Sequence, residues 1–350
     1  MNELIRSLVE AYGPSGYEDA VRDLIRPLVE PHADEISVDA MGNLIVRKRA
    51  AAENPLKVMI AAHMDEIGVM ATHITADGFL RFTNIGGVGP HTLLGGRVRF
   101  ADGTLGVIGA DRNDDRSSIH PLSKHFIDVG ATSRDDCPVR IGDAAHFERP
   151  FVAQGNHLTA KSMDDRIGCV VAIEALRRLP ADAPHELYFV FSVQEEVGTR
   201  GAEAAANRIL PDVGIALDVT LTGDVPEARS MSVRLGDGPA IKVRDSGMIA
   251  HAGLVRLMRR RAEEAGITHQ MEVLDGGSTD ARPMQVAGPG CAAGCISIPC
   301  RYVHTPSETV DARDVEGAVE LLVALLSNPI DFLSQSGAPG LLAGLRAVRR

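Results

Sequence analysis

Short apolar runs alternate with segments of helical periodicity at both ends of the chain. Almost wholly apolar runs with the length of strands buried on both faces occur at 56–62, 187–193, 213–219 and 292–298. Apolar residues spaced three or four positions apart predict helices at 3–11, 17–30, 169–179, 251–265 and 315–326. This alternation predicts an α/β fold with a mixed, mostly parallel central sheet flanked by helices.

The middle of the chain has a different pattern, with frequent glycine and only short apolar pieces. These pieces lie between turn signals at 68–74, 79–82, 97–100, 105–108, 126–129 and 144–147. They predict short antiparallel strands in a barrel or sandwich. The main domain would then comprise 1–67 and 157–334, with a small all-β insertion at 68–156 and a poorly ordered tail at 335–350. The polar loop at 111–118 is expected to face solvent.

Titratable residues follow the predicted buried strands. His63 comes directly after the first run, Glu195 and Glu196 follow the second, Asp218 lies near the end of the third, and His304 follows the fourth. Each could be a solvated turn residue when taken alone. Ligands of open α/β sheets bind beyond the carboxyl ends of the strands, so four such strands together favour a functional site.

Three further aspartates join these candidate site residues. Asp164 and Asp165 directly precede a predicted helix, where Asp165 alone could serve as the N-cap and leave Asp164 for another role. Asp65 lies two residues after His63 and would point the same way in an extended segment. It could therefore orient the imidazole of His63, as acidic partners of metal-bound histidines do.

The donor set suits a pair of divalent metal ions. It contains two imidazoles and three carboxylates, from His63, Asp164, Glu196, Asp218 and His304. If one carboxylate is shared, each ion receives one histidine, one terminal carboxylate and the shared one. Three protein ligands with room for water indicate a catalytic site, and mixed nitrogen and oxygen ligands suit Zn²⁺, Co²⁺ or Mn²⁺. Glu195 remains free to act as general base and then general acid.

Composition excludes several other functions. A net charge of −11 disfavours nucleic acid and anionic membrane surfaces as partners. The absence of tryptophan and an aromatic content of 4% disfavour stacking platforms for sugars. Five cysteines without a CxxC pair indicate a reducing compartment and structural thiols rather than a cysteine metal cluster. No apolar run reaches the ~20 residues of a membrane span, so we expect a cytoplasmic protein.

Seven short motifs along the chain resemble those of the M42 family of metallo-aminopeptidases, and they occur in the same order as in that family. These enzymes are the TET-like peptidases of the co-catalytic zinc peptidase fold. The resemblance spans roughly residues 1–330 and is carried by AHMDEIG at 62–68, FIDVGATS at 126–133, KSMDDR at 161–166, QEEVGTRGA at 194–202, ALDV at 216–219, GGSTDA at 276–281 and RYVHTPSE at 301–308.

The resemblance implies a role for each candidate residue. Asp164 would bridge the two ions, with a cis peptide bond to Asp165. His63 and Asp218 would be terminal ligands, on the same ion or on opposite ions, and Glu196 and His304 would complete the set. Glu195 would carry the proton and Asp65 would orient His63.

The resemblance also implies an activity and an assembly. The activity is removal of N-terminal residues from short peptides by a metal-bridged water. The insertion would be a PDZ-like dimerisation domain of a homo-oligomer, up to a dodecamer. The alternatives are a related metal-dependent deacylase or amidase, an endoglucanase as some relatives are labelled, and a non-catalytic assembly protein that retains the fold.

Overall fold

A computed structural model describes residues 1–335 except 51, 53, 113–117 and 229. The tail expected at 335–350 falls outside these residues beyond Gln335, as does most of the polar loop expected at 111–118. The helices are α1 Asn2–Glu10, α2 Asp19–Val29, α3 Met163–Arg178, α4 Arg200–Ile209, α5 Ala252–Ala265, α6 Ala281–Val286, α7 Ala312–Leu326 and α8 Phe332–Gln335. Across the described ranges, no helix is long and apolar enough to cross a membrane.

Seventeen strands form one large sheet and one small barrel within the described residues. They are β1 Glu35–Val38, β2 Leu44–Lys48, β3 Lys57–His63, β4 Gly68–Ile74, β5 Leu80–Ile85, β6 Arg97–Phe100, β7 Leu105–Ala110, β8 His125–Asp128, β9 Ala144–Phe147, β10 Val152–Gln154, β11 His157–Ala160, β12 Glu186–Ser192, β13 Val213–Thr220, β14 Ala240–Arg244, β15 Gln270–Val273, β16 Ala292–Arg301 and β17 Glu308–Asp311.

The central sheet is mixed, with a parallel centre. Its strand order is β1-β2-β12-β3-β13-β16-β17-β11-β10, and β14 and β15 extend it beside β16. The four central strands β12, β3, β13 and β16 run parallel, whereas the flanking pairs are antiparallel, apart from the parallel pair β14 and β15. The α/β prediction is confirmed, and the parallel strands are the four apolar runs identified in the sequence.

Helices cover both faces of the sheet. Successive side chains of a strand point to opposite faces, and in the central strands both sets are apolar and need to be buried. In β3, Val58, Ile60 and Ala62 pack into the core formed with α1, α2, α3, α5 and α7. Met59 and Ala61 of the same strand pack on the other face with α4 and α6. Burial on both faces explains why these strands are continuous apolar runs rather than alternating ones.

The six strands β4 to β9 close into a barrel with its own core. Of the two forms that the sequence predicted for this region, a barrel or a sandwich, the structure has the barrel. Strand β10 lies inside the range expected for the insertion, but it pairs with β11 and extends the central sheet. All three of its residues are exposed, so no pattern of buried positions could have assigned it to either unit.

Candidate active site

The carboxyl ends of the four parallel strands bring the candidate residues together. His63 is the last residue of β3 and is paired with Ser192, the last residue of β12, while Asp218 is the sixth of the eight residues of β13. Glu195 and Glu196 follow β12, and His304 follows β16. The sequence prediction that these strands end at one site is thus consistent with the topology, because neighbouring parallel strands end on the same edge of a sheet.

Asp164 lies at the centre of this cluster. Its Oδ1 is 3.0 Å from His63 Nε2, and its Oδ2 is 3.3 Å from His304 Nε2. His304 Nε2 is also 3.1 Å from Glu196 Oε2. The carboxylate of Asp164 therefore faces one histidine with each oxygen, which is the position that a shared ligand would occupy.

Two groups of side chains could each hold a cation. His63, Asp164 and Asp218 place one donor atom each within 4.8 Å of one another, and so do Asp164, Glu196 and His304. Asp164 belongs to both groups. The sequence left open whether Asp218 accompanies His63, and the structure places these two residues in the same group. Neither group contains a cysteine among the described residues.

The electrostatics of the cluster favour cations. Although burial disfavours its charged form, hydrogen bonds with Asp164 and Asp65 raise the pKa of His63 well above its usual value. Burial raises the pKa values of Glu195 and Asp218 well above the usual range. Oε1 of Glu196 is buried and has no hydrogen-bond partner in the described part of the chain. The residues present therefore fit divalent metal ions, which would neutralise the carboxylates and occupy that oxygen.

Asp65 contacts His63 and also makes hydrogen bonds that the sequence did not predict. Its backbone oxygen is 3.1 Å from Nδ1 of His63, closer than its carboxylate at 3.4 Å. The carboxylate accepts the backbone N–H groups of Glu195 at 2.9 Å and Glu196 at 3.1 Å, and the hydroxyl of Ser15 at 2.6 Å. Asp65 thus touches His63 as expected, and it also fixes the backbone of the two glutamates.

Three buried acids that the sequence did not assign to the site lie beside it. Glu308 accepts the backbone N–H of Asp164 at 2.9 Å and that of His304 at 2.8 Å. Asp280 accepts the hydroxyl of Ser192, and burial raises its pKa to about 6. Asp165 accepts the N–H of Gly168 at 3.0 Å, as an N-cap does, and its peptide bond to Asp164 is cis. Glu308 and Asp280 both lie in the quoted motifs, which was the available signal.

A cavity of about 570 Å³ opens onto the cluster. Asp164, Glu195, Glu196, Asp218 and His304 lie at its wall, and the remaining wall is provided by Gly198, Thr199, Val219, Thr220, Leu221, Lys242, Leu274, Gly276, Gly277, Ser278, Thr279, Arg282 and Val303. Its size suits the end of a peptide rather than a whole folded protein. Glu195 reaches this cavity without belonging to either candidate metal group, and its Oε2 is 4.0 Å from Nε2 of His63.

A loop of the barrel packs against two residues of the site. Gly86 and Gly87 directly follow β5, and a Cβ at Gly87 would lie 2.7 Å from Cε1 of His304. A Cβ at Gly86 would lie 3.1 Å from Cβ of Glu196. Only residues without a side chain allow the barrel to approach these two groups so closely.

Comparisons with known proteins agree with this architecture. A family model described as M42 glutamyl aminopeptidase matches residues 42–321. A lysyl aminopeptidase of Pyrococcus furiosus is 38% identical over 347 residues, which cover 94% of this chain and 98% of that protein.

Solved structures give the same picture. An aminopeptidase from the archaeon Desulfurococcus kamchatkensis matches with a TM-score of 0.91 at 42% identity, covering 96% of this chain and 97% of that one. The Pyrococcus horikoshii TET1 peptidase, which can assemble into a tetrahedron or a large octahedral shell, matches at 0.85 and 34% identity, covering 94% and 99%. The fold and its matches make the protein a peptide hydrolase. More narrowly, the chain belongs to the M42 family of aminopeptidases.

Proposed function

We propose that this protein is a di-metal aminopeptidase that removes N-terminal residues from short peptides. The observation that carries the proposal is the position of Asp164, which is shared by two candidate metal groups that each contain a histidine. Asp164 lies at the wall of a cavity that is also lined by Glu195, which belongs to neither metal group. His63 and Asp218 would hold one ion, Glu196 and His304 the other, and Asp164 both. Zn²⁺ suits these donors, and Co²⁺ or Mn²⁺ could replace it.

When bound, the ions would lower the pKa of a water molecule and polarise the substrate carbonyl. Glu195 would be the residue that moves the proton, and this role is supported by its carboxylate reaching the cavity while being absent from both candidate groups. It would accept a proton from the attacking water and deliver it to the departing amine. The hydrogen bond from its backbone N–H to Asp65 holds the main chain from which this carboxylate extends.

The acidic end of the cavity would select a free amine. Asp164, Glu196 and Asp218 at that end would be neutralised by the ions, whereas Glu195 belongs to neither metal group and would attract the positive charge of an unblocked peptide N-terminus. Peptides with an acetylated N-terminus should therefore be poor substrates. A deacylase or amidase with the same site would accept them, and this difference separates the two alternatives.

The test is hydrolysis of amino-acid anilides and short peptides, with and without an acetylated N-terminus, by protein loaded with Zn²⁺, Co²⁺ or Mn²⁺. We expect activity on free amines only, loss of activity on chelation, and a fall of about 10²–10⁴-fold in kcat for Glu195→Gln. Glu203→Gln, on the exposed side of α4, is the matched control. A metal-loaded protein that cleaves no peptide would refute the proposal, and full activity in Glu195→Gln would refute the role of Glu195.

Assembly forms a second part of the proposal. The TET1 peptidase of Pyrococcus horikoshii can assemble into a tetrahedron or a large octahedral shell, and a similar TET1 structure is a dodecamer, so we expect this chain to form a dimer-based homo-oligomer of up to twelve subunits. The barrel of β4 to β9 would be the PDZ-like dimerisation domain, and the cytoplasm the compartment. Light scattering after size-exclusion chromatography tests the assembly, and a monomer at all protein concentrations would contradict it.

A further inference from the structure

A buried cluster of charged side chains lies behind the candidate metal site. Its centre is Glu66, whose Oε2 accepts Nζ of Lys161 at 2.7 Å and whose Oε1 accepts Nη2 of Arg166 at 3.2 Å. Glu66 is 2% exposed, Lys161 is 3% exposed and Arg166 is fully buried. A buried ion pair is weak evidence for a stabilising role, because desolvation can offset its attraction.

Arg166 connects three segments of the chain. Its guanidinium donates to the backbone oxygens of Met64, Leu8 at 2.6 Å and Gly13 at 3.3 Å. Met64 directly follows His63, and Arg166 itself lies two residues after Asp164. One side chain thus binds the segment that carries the first histidine to the helix start that carries the central aspartate.

Gly13 shows how closely this region is fitted. A Cβ at Gly13 would lie 2.7 Å from Nη2 of Arg166, and Gly13 also donates its N–H to Oε1 of Glu66 at 3.1 Å. Lys161 adds a parallel connection, because its Nζ donates to the backbone oxygen of Ala11 at 3.0 Å. The end of α1 is therefore held to both segments.

The barrel reaches the same cluster. Nδ1 of His146, in β9, lies 3.6 Å from Oε1 of Glu66. Burial, together with the neighbouring charge of Lys161, lowers the pKa of His146 to about 4, so this ring is neutral near pH 7. The fixed charges that face Glu66 are accordingly those of Lys161 and Arg166.

We propose that Glu66, Lys161 and Arg166 are positioning residues that set the separation of His63 and Asp164 and thereby the metal affinity of the site. None of the three reaches the substrate cavity or belongs to a candidate metal group within the described residues. Their effect on the site would pass through the backbone of Met64 and of the segment 161–166. Acidic and basic groups that orient ligands elsewhere commonly change metal affinity by about 10–100-fold when they are removed.

The inference rests on the proposed metal-dependent function, and its test uses metal binding rather than activity. The metal-free full-length protein is titrated with Co²⁺, and binding is followed by calorimetry and by the visible absorption of the ion. Glu66→Gln keeps the shape of the side chain but removes its charge. We expect a loss of Co²⁺ affinity of about 10–100-fold for the site containing His63 and Asp164.

A matched control and a second variant separate positioning from folding. Glu186→Gln removes the same charge from a buried carboxylate paired with Arg47, at the opposite end of β12 from the site, and should leave affinity unchanged. Gly13→Ala keeps every charge but displaces Arg166, so it should weaken binding even if Glu66→Gln does not fold.

Each outcome has a clear consequence. If Glu66→Gln and Gly13→Ala both fold and bind Co²⁺ with wild-type affinity, the positioning role is overturned and the aminopeptidase proposal remains intact. A wild-type protein that binds no Co²⁺ would overturn both. Weakened binding in Gly13→Ala together with unchanged binding in Glu186→Gln would support the inference.

Discussion

The contact between the barrel and His304 gives a sharp test of the site. In Gly87→Ala, the new methyl group would lie 2.7 Å from Cε1 of His304, whereas ordinary van der Waals contacts begin near 3.4 Å. Because Nδ1 of the same ring would lie closer still, either the imidazole or the barrel loop must move by at least about 0.7 Å. The imidazole is also held by Asp164 and Glu196, at 3.3 and 3.1 Å, so a displacement of this size removes at least one of these contacts.

The expected result follows from the sensitivity of catalysis to small displacements. A misplacement of about 1 Å can reduce turnover by roughly 10²-fold, so we expect Gly87→Ala to lose about 10–100-fold in kcat and to bind the ion at His304 more weakly. Steady-state kinetics on an amino-acid anilide and Co²⁺ titration measure the two effects.

Gly276→Ala is the matched control for this variant. Gly276 also borders the cavity, and a Cβ there would meet nothing within 4 Å. We expect this variant to retain its metal affinity. Wild-type kcat and metal affinity in Gly87→Ala would show that the barrel does not constrain His304, and would refute the reasoning.

Three further predictions concern stability. Asp65→Asn should lower the free energy of unfolding by about 1–3 kcal/mol in urea, because one backbone N–H loses its acceptor, and an unchanged value would contradict this. Phe189→Ala, in the core of β12, should lose about 3–5 kcal/mol in the same assay, and a loss below about 1 kcal/mol would count against its full burial. Burial lowers the pKa of Lys161 to about 8, so the folded chain releases this proton before the unfolded chain does. The stability of metal-free wild type relative to Lys161→Met should therefore rise by about 2 kcal/mol from about pH 8 to about pH 9.5, and a flat difference would exclude the shift.

Much of the fold follows from local pattern. The four central strands can be recognised as apolar runs because both of their faces are buried. The long helices can be recognised by apolar residues three or four positions apart, because only one of their faces is buried. Short elements such as β10, β11, β14 and α6 were not predicted. Their conformation depends on neighbours that are distant in sequence, so local residue patterns do not specify them.

Some residues of the candidate site could likewise be recognised from the sequence, and others could not. His63, Asp218 and His304 stand out because titratable residues at the ends of apolar strands are unusual. Glu308 and Asp280 are equally close to the site, but their importance comes from hydrogen bonds to Asp164 and Ser192 across 144 and 88 residues of sequence. Such contacts are set by the packing of whole elements, so the motifs that contain these two acids do not reveal their partners.

The sequence by itself therefore determined the class of fold, the four strands that carry the candidate ligands and the candidate ligands themselves. Only the tertiary structure decided that Asp218 accompanies His63, that Asp65 supports the backbone of Glu195 and Glu196, and that the barrel closes against His304. The physical reason is that burial and periodicity act along the chain and can be read from it. Distances between side chains depend on how the sheet and the barrel pack, and no single segment encodes that packing.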